Sequence, residues 1–221
     1  MKSFFFPPRN LRDELLDLDE ASYEEVQDSL QDVATVNRYL SGYRVLLQHM
    51  EPILKSHKAN RPFRVMDAAT GSADQPVELV KLARRIGIPI HITAIDINAK
   101  MLKLAQEEVA CYPEIQLLQC DILSLPFREN AFDLVVNSLS LHHFSWDKAV
   151  TILRTIYKVG RLGIVVNDLH RSRVAHVVIF ILTRIFTRNR LTRYDAPVSV
   201  MNAFTPKEFC KLAQQAKIDP Y

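Results

Sequence analysis

The sequence predicts an α/β protein: a mostly parallel sheet flanked by helices, with an N-terminal helical cap. Three observations predict it. Short apolar runs alternate with amphipathic segments from residue 63 onward, the rhythm of parallel strands covered on both faces. The stretch Arg64–Asp74 passes from an apolar strand into a turn of very small residues and then into a helix. That order lets backbone approach a nucleotide-like ligand closely. Polar residues, among them Asp67, Asp96, Asp121 and Asn137, stand at the ends of the apolar runs, where such sheets bind ligands.

Residues 10–56 read as helices, because Leu11, Leu15, Leu16 and then Tyr23, Val26, Leu30, Val33 recur at three- and four-residue steps. Val36, Tyr39, Leu40 and Val45–Leu47 continue the pattern past Gly42, an expected break. The strands are expected at Phe63–Ala68, His91–Ile97, Ile115–Cys120, Phe132–Leu139 and Leu162–Asn167, and the helices between them at Gln75–Arg85, Lys100–Cys111 and Trp146–Tyr157. A loop with Pro197 is expected over 196–204, then a helix over Thr205–Lys217 with Thr205 as N-cap and Pro206 first. The domain reading is a helical extension over 1–62 and a sheet domain over 63–221, with a lid at 171–204.

At 221 residues the chain holds one ample core, and a net charge of +3 does not point to nucleic acid. The three cysteines lack C-x-x-C spacing, so neither a zinc site nor a disulfide framework is read, no metal is expected, and a cytoplasmic setting is the simplest reading. The N-terminal Phe4–Phe6 run is too short for a signal peptide. Ala175–Leu182, the most apolar stretch, falls well short of the ~20 residues that cross a bilayer. Charge is unevenly placed: residues 171–193 hold six arginines and no acid, while residues 13–32 are rich in Asp and Glu.

The turn reads D-x-A-x-G-x-A, with Asp67, Ala69, Gly71 and Ala73. It resembles the D-x-G-x-G-x-G motif of Rossmann-like, class I S-adenosylmethionine methyltransferases, with two glycines replaced by alanine. Ala94–Leu102 resembles that family's second motif, especially in ubiquinone/menaquinone C-methyltransferases; Cys120–Ile122 and Phe132–Phe144 resemble its third and fourth. The resemblance covers about residues 63–170. It implies S-adenosylmethionine as cofactor and S-adenosylhomocysteine as product, with Asp67, Ala69 and Gly71 in the cradle. It also implies Asp96 on the ribose, Ile97 and Met101 flanking the adenine, Asp121 and Ile122 at the adenine amino edge, and Asn137 at the end of the fourth strand. Each alanine adds a methyl near the methionine portion and is expected to avoid positive φ. The antiparallel strand pair that usually ends this fold is missing after Lys217, which leaves the fifth strand as an edge for dimerisation.

Methyl transfer from a sulfonium requires the protein to position the acceptor and, for oxygen or carbon attack, to remove a proton. His142, His143, Asp168 and His170 are the candidate bases, and the residues alone do not choose among them. Adjacent residues of an extended segment point opposite ways, so one histidine of the pair is expected to pack under its loop; Asp168 equally suits the cap of the next helix. Residues 171–193 read either as a lid for a lipophilic acceptor that touches anionic lipid, or as a buried cap helix. Residues 167–172, 187–191 and 203–206 resemble bacterial methyltransferases of polyketide and phenolic-lipid pathways. The resulting expectation is methylation of a small aromatic or lipophilic acceptor. A catalytically silent accessory protein and a nicotinamide-dependent oxidoreductase are the alternatives.

Overall fold

A computed structural model describes residues 7–18, 20–39, 42–58 and 60–218. Leu40, Phe4–Phe6 and Pro220–Tyr221 lie outside the described residues, as do the side chains of Asn37, Arg38 and Tyr39. In chain order the elements are α1 (Tyr23–Tyr39), α2 (Gly42–Lys55), β1 (Phe63–Ala68), α3 (Asp74–Ile86), β2 (Ile90–Asp96), α4 (Ala99–Glu108) and β3 (Ile115–Gln119). They continue with β4 (Leu134–Ser138), α5 (Trp146–Val159), β5 (Ile164–Asn167), α6 (Arg173–Phe186), α7 (Arg190–Asn202) and α8 (Pro206–Ala216). Short 3₁₀ turns lie at Leu15–Leu18 and Leu141–His143. The chain divides into two compact units, one of Val36–Ser138 with Arg154–Asn167, the other of Met1–Thr35, Leu139–Leu153 and Asp168–Tyr221.

The first unit holds the sheet. Its five strands are all parallel, in the order β3-β2-β1-β4-β5, so the strand order reverses between β1 and β4. Ligands of such sheets bind beyond the carboxyl ends of the strands at that reversal. The apolar runs are strands because both of their faces are buried: Val65, Ile92, Leu134 and Val136 pack with Leu79 and Leu82 of α3 and with Leu46, Met50 and Leu54 of α2. Each such side chain contributes about 1.5–3 kcal/mol by leaving water. Helix α3 stops at Gly87, whose φ of 71° suits the left-handed cap that glycine supplies.

The opposite, amino-terminal end of the sheet is held by Asp133, which is 1% exposed. Arg61 grips it with two hydrogen bonds of 2.6 Å each, Arg64 donates its backbone N–H at 2.9 Å, and Arg161 Nη2 adds one at 3.0 Å. Burial works against the charge, yet these donors hold the Asp133 carboxyl well below the usual carboxylate range. Phe132 bridges to Gly160, where any Cβ would lie 2.3 Å from the Gly163 carbonyl, so only glycine fits. The fourth strand therefore starts at Leu134 rather than Phe132, and the fifth at Ile164 rather than Leu162.

The other unit is helical. Residues 7–14 take no regular structure, and Leu11, expected on a helix, is exposed. Arg171 is 3% exposed and pins three segments: Nε donates to Pro7 O at 2.8 Å, Nη1 to Ala203 O at 2.5 Å, and Nη2 to Glu208 Oε1 at 2.7 Å. Thr205 and Glu208 cap α8 reciprocally, with Pro206 at the first helical position. The expected loop over 196–204 is instead the last part of α7, with Pro197 inside it. His176 Nδ1 lies 3.1 Å from the Pro197 carbonyl, an acceptor outside the helix's own ladder. Helix α6 is not a buried cap: Val174, Val177, Val178, Phe180, Ile181, Ile185 and Phe186 are all exposed. None of the helices among the described residues is long and apolar enough to cross a membrane.

Candidate functional site

The sheet unit carries a cradle at the reversal point. Asp67 ends its run 3% exposed, facing Ala94 of β2 and Val136 of β4 in register. Burial first, then the nearby carboxylates of Asp74 and Asp96, push the Asp67 carboxyl up to about 7 against the opposing effect of Thr70. Burial likewise raises Asp74, although the Tyr43 hydroxyl donates to it.

The turn that follows winds left-handed at every second residue, with φ of 59° at Ala69, 57° at Gly71 and 60° at Ala73. The expectation that alanine keeps ordinary φ is thus overturned. Neighbouring structure dictates the conformation: Thr70 N donates to Ile95 O at 2.8 Å, Ala73 N to Thr70 O at 3.0 Å, and Gly71 N to Asp96 Oδ2 at 2.9 Å. A non-glycine residue in this region is strained by about 1–2 kcal/mol.

Asp96 also accepts from Asn98 N at 2.8 Å through Oδ1, while Asn98 caps α4. Each carboxylate oxygen has a further lone pair beyond its backbone donor. Next along, Ile97 is 64% exposed, whereas Met101 is buried on α4. An adenine edge built by Ile97 is open to solvent; Met101 packs inward. Asp121 accepts from Leu123 N at 2.8 Å, and Ile122 is buried beside it in the chain. Asn137 donates Nδ2 to Ala68 O at 2.8 Å, joining the ends of β4 and β1.

Two details of this end fit a polar ligand with ribose and amino-acid portions. A Cβ placed on Gly71 would meet nothing within 4 Å, so the turn faces open space. Gln75 Oε1 and Ser138 Oγ are buried and make no hydrogen bond within the protein, and such groups are costly unless a ligand or water pairs them. Gln75 and Ser138 escaped the sequence reading because neither stands at a motif position.

The helical unit carries a second cluster. His142 Nδ1 lies 2.6 Å from Asp168 Oδ1, while Asp168 Oδ2 accepts from His142 N at 3.0 Å. His143 Nδ1 lies 2.8 Å from Asp17 Oδ2. The two rings lie 4.4 Å apart and both turn Nε2 toward Glu14, at 3.7 and 3.9 Å. The expectation that the pair points opposite ways fails because Leu141–His143 is a 3₁₀ turn, not extended chain. Burial opposes charge on His143, but the Asp17 hydrogen bond and the Glu14, Asp17 and Asp168 carboxylates outweigh it and push it up to about 9.

Asp168 does not cap the next helix; Ser172 does, accepting from Ala175 N at 3.0 Å. His170 is exposed and takes no part in the Glu14–His142–His143 group. Glu14 and Asp17 were legible only as members of an acidic stretch, since nothing in their spacing leads to residue 142.

Residues 65–163 match the family model described as "Methyltransferase domain". The demethylmenaquinone methyltransferase of Staphylococcus carnosus (strain TM300) is 27% identical over 149 residues, which are 66% of this chain and 61% of that protein. The protein of the same name in Listeria welshimeri is 26% identical over 124 residues, 55% of this chain and 50% of that one. The chain thus spans about half to three-fifths of the length of these relatives. Among solved structures, a plantazolicin methyltransferase in complex with S-adenosylhomocysteine and a substrate analogue covers 90% of this chain and 70% of that one, with a TM-score of 0.65 and 13% identity. The CMeT domain of a citrinin polyketide synthase covers 78% of this chain and 46% of that one, with a TM-score of 0.58 and 13% identity. These two likenesses are of fold.

Proposed function

We propose that this chain, whose residues 65–163 form a class I, Rossmann-like methyltransferase domain, transfers a methyl group from S-adenosylmethionine to a hydroxyl or carbon of a small aromatic or lipophilic acceptor. The observation that carries the reading is the strained turn at 69–73, tied to Asp96 and open above Gly71. Positive φ at three alternate positions turns backbone toward the open side, where a larger turn residue would fill the space.

When bound, the cofactor supplies a methyl group already activated on a sulfonium. The chain's own residues then bind and orient. Asp96 offers its remaining lone pairs to the two ribose hydroxyls, and the turn at Ala69 and Gly71 admits the methionine portion. Ile97 covers one adenine face, Asp121 and Ile122 meet its amino edge, and Asn137 holds the end of β4. The acceptor's proton goes to the histidine–carboxylate cluster, where Asp168 orients the His142 ring so that Nε2 is the free basic atom. The relatives' names support a quinone-like acceptor, and the exposed apolar face of α6, with Arg173 and Arg184 on the same helix, supports peripheral contact with an anionic membrane.

Calorimetric titration of the purified chain with S-adenosylmethionine, S-adenosylhomocysteine and NADH tests the cofactor. Micromolar binding of the first two and silence from NADH is expected. Silence from all three favours a catalytically silent accessory protein, the reading that the strained alanines support.

A further inference from the structure

We infer that Glu14, His142 and His143 form a binding site for one divalent transition-metal ion, of the kind that takes mixed imidazole and carboxylate ligands. Their donor atoms all lie within 4.8 Å of one another. The two distances from the imidazole Nε2 atoms to Glu14, 3.7 and 3.9 Å, are too long for hydrogen bonds. They are short enough for ligands of one ion, since bonds of about 2.0–2.2 Å separate two ligand atoms by at most about 4.2 Å.

The orientation of the rings strengthens the case. Each Nδ1 is held by a carboxylate, Asp168 for His142 and Asp17 for His143, so each Nε2 presents its lone pair to the same point. Three electron-rich atoms converge where nothing but a cation or a proton makes the arrangement favourable. Carboxylates behind ligating histidines are the usual outer partners of a metal site, fixing tautomer and raising basicity.

The first ligands are also held rigid. Arg9 Nη2 donates to the carbonyls of His142 and Phe144, each at 2.8 Å. Asp195 accepts from Leu15 N at 2.7 Å and Leu16 N at 3.1 Å, fixing the chain next to Glu14, and Ser199 Oγ donates to Glu14 Oε1 at 2.5 Å. Two imidazoles and one carboxylate suit Zn²⁺, Co²⁺ or Fe²⁺ rather than Mg²⁺ or Ca²⁺, and three protein ligands leave positions open for oxygen. In its chemical use the site rests on the proposed methyl transfer: an acceptor hydroxyl bound to the ion ionises there and releases its proton to water, in place of transfer to His142.

Co²⁺ is the probe. Untagged chain, stripped with chelator, is titrated with Co²⁺ and followed by its visible d–d absorption, without S-adenosylmethionine. One equivalent should bind with tetrahedral or five-coordinate bands and no thiolate charge-transfer band, and replacing all three cysteines by serine should change nothing. Glu14→Gln should abolish stoichiometric binding. Asp17→Asn, at a half-exposed side chain that folding does not depend on, should weaken it about 10-fold. Histidine ¹⁵N spectra of the unsubstituted chain with Zn²⁺ should shift two Nε2 signals. No stoichiometric binding, or binding untouched by both substitutions, overturns the site and leaves a proton between the three groups. Cofactor binding without Co²⁺ binding sinks only this site; Co²⁺ binding without cofactor binding sinks only the methyltransferase reading.

Discussion

The backbone N–H of Gly71 donates to Asp96 Oδ2 at 2.9 Å, so the turn after β1 is fastened to the carboxylate that ends β2. One side chain therefore both shapes the cradle and, in the proposed function, grips the ribose. Asp96→Ala should lower S-adenosylhomocysteine affinity about 100-fold, given ~1.5–3 kcal/mol for each hydrogen bond to a charged group. Calorimetry checks it; unchanged affinity removes Asp96 from the ribose.

Ala69 and Ala73 pay a conformational cost that glycine does not, at φ near 60°. Ala69→Gly and Ala73→Gly should each stabilise the fold by about 0.5–1 kcal/mol, the strain relieved less the entropy glycine adds to the unfolded chain. Thermal unfolding should rise by about 1–4 °C for each. A fall in melting temperature means that the methyls pack usefully.

Asp67 predicts an unusual pH trend. Its folded value of about 7 lies above its ordinary 3.8, so the native state holds the proton more tightly than the unfolded chain does. The resulting stability is full below about pH 4 and is lost as pH rises through 7. Asp67→Asn should flatten the decline between pH 4 and 7 in urea titrations and gain on the order of 3 kcal/mol at pH 8. Parallel curves for the two proteins disprove the buried-proton assignment.

The exposed residues of α6 can be removed without touching the core. Ile181→Ser, Ile185→Ser and Phe186→Ser combined should leave unfolding within about 0.5 kcal/mol of the parent at each site. Sedimentation with phosphatidylglycerol vesicles should be lost, and the parent should bind neutral vesicles more weakly. A parent chain that ignores both kinds of vesicle rules out membrane contact.

Much of the sheet was legible because its signals are local. Alternating apolar runs, small residues after Asp67 and acids at strand ends all lie within a few residues of what they specify, and the strand bounds moved by only one or two positions. Pro197 misled because a proline can sit inside a helix when its neighbourhood supplies another donor for the freed carbonyl, and no sequence window contains His176. The partnership of Asp17 with His143 joins positions 126 apart in the chain. Such pairings belong to tertiary packing, so the histidines were visible as candidates while their partner Glu14 was not.

The division of the chain has a consequence for how it is made. Residues 7–35 belong with 139–153 and with 168–218, whereas the intervening strands β1 to β3 pair among themselves. During synthesis from the amino terminus, β1 can meet β2 as soon as residue 96 is available, but Glu14 and Asp17 wait until the histidines, and then Asp168 and Asp195, have been added. The earliest-made acidic segment is thus among the last to find its place. A ribosome pausing before residue 168 would carry a nearly complete sheet beside an unpartnered, negatively charged arm, a species that chaperones and proteases would meet first.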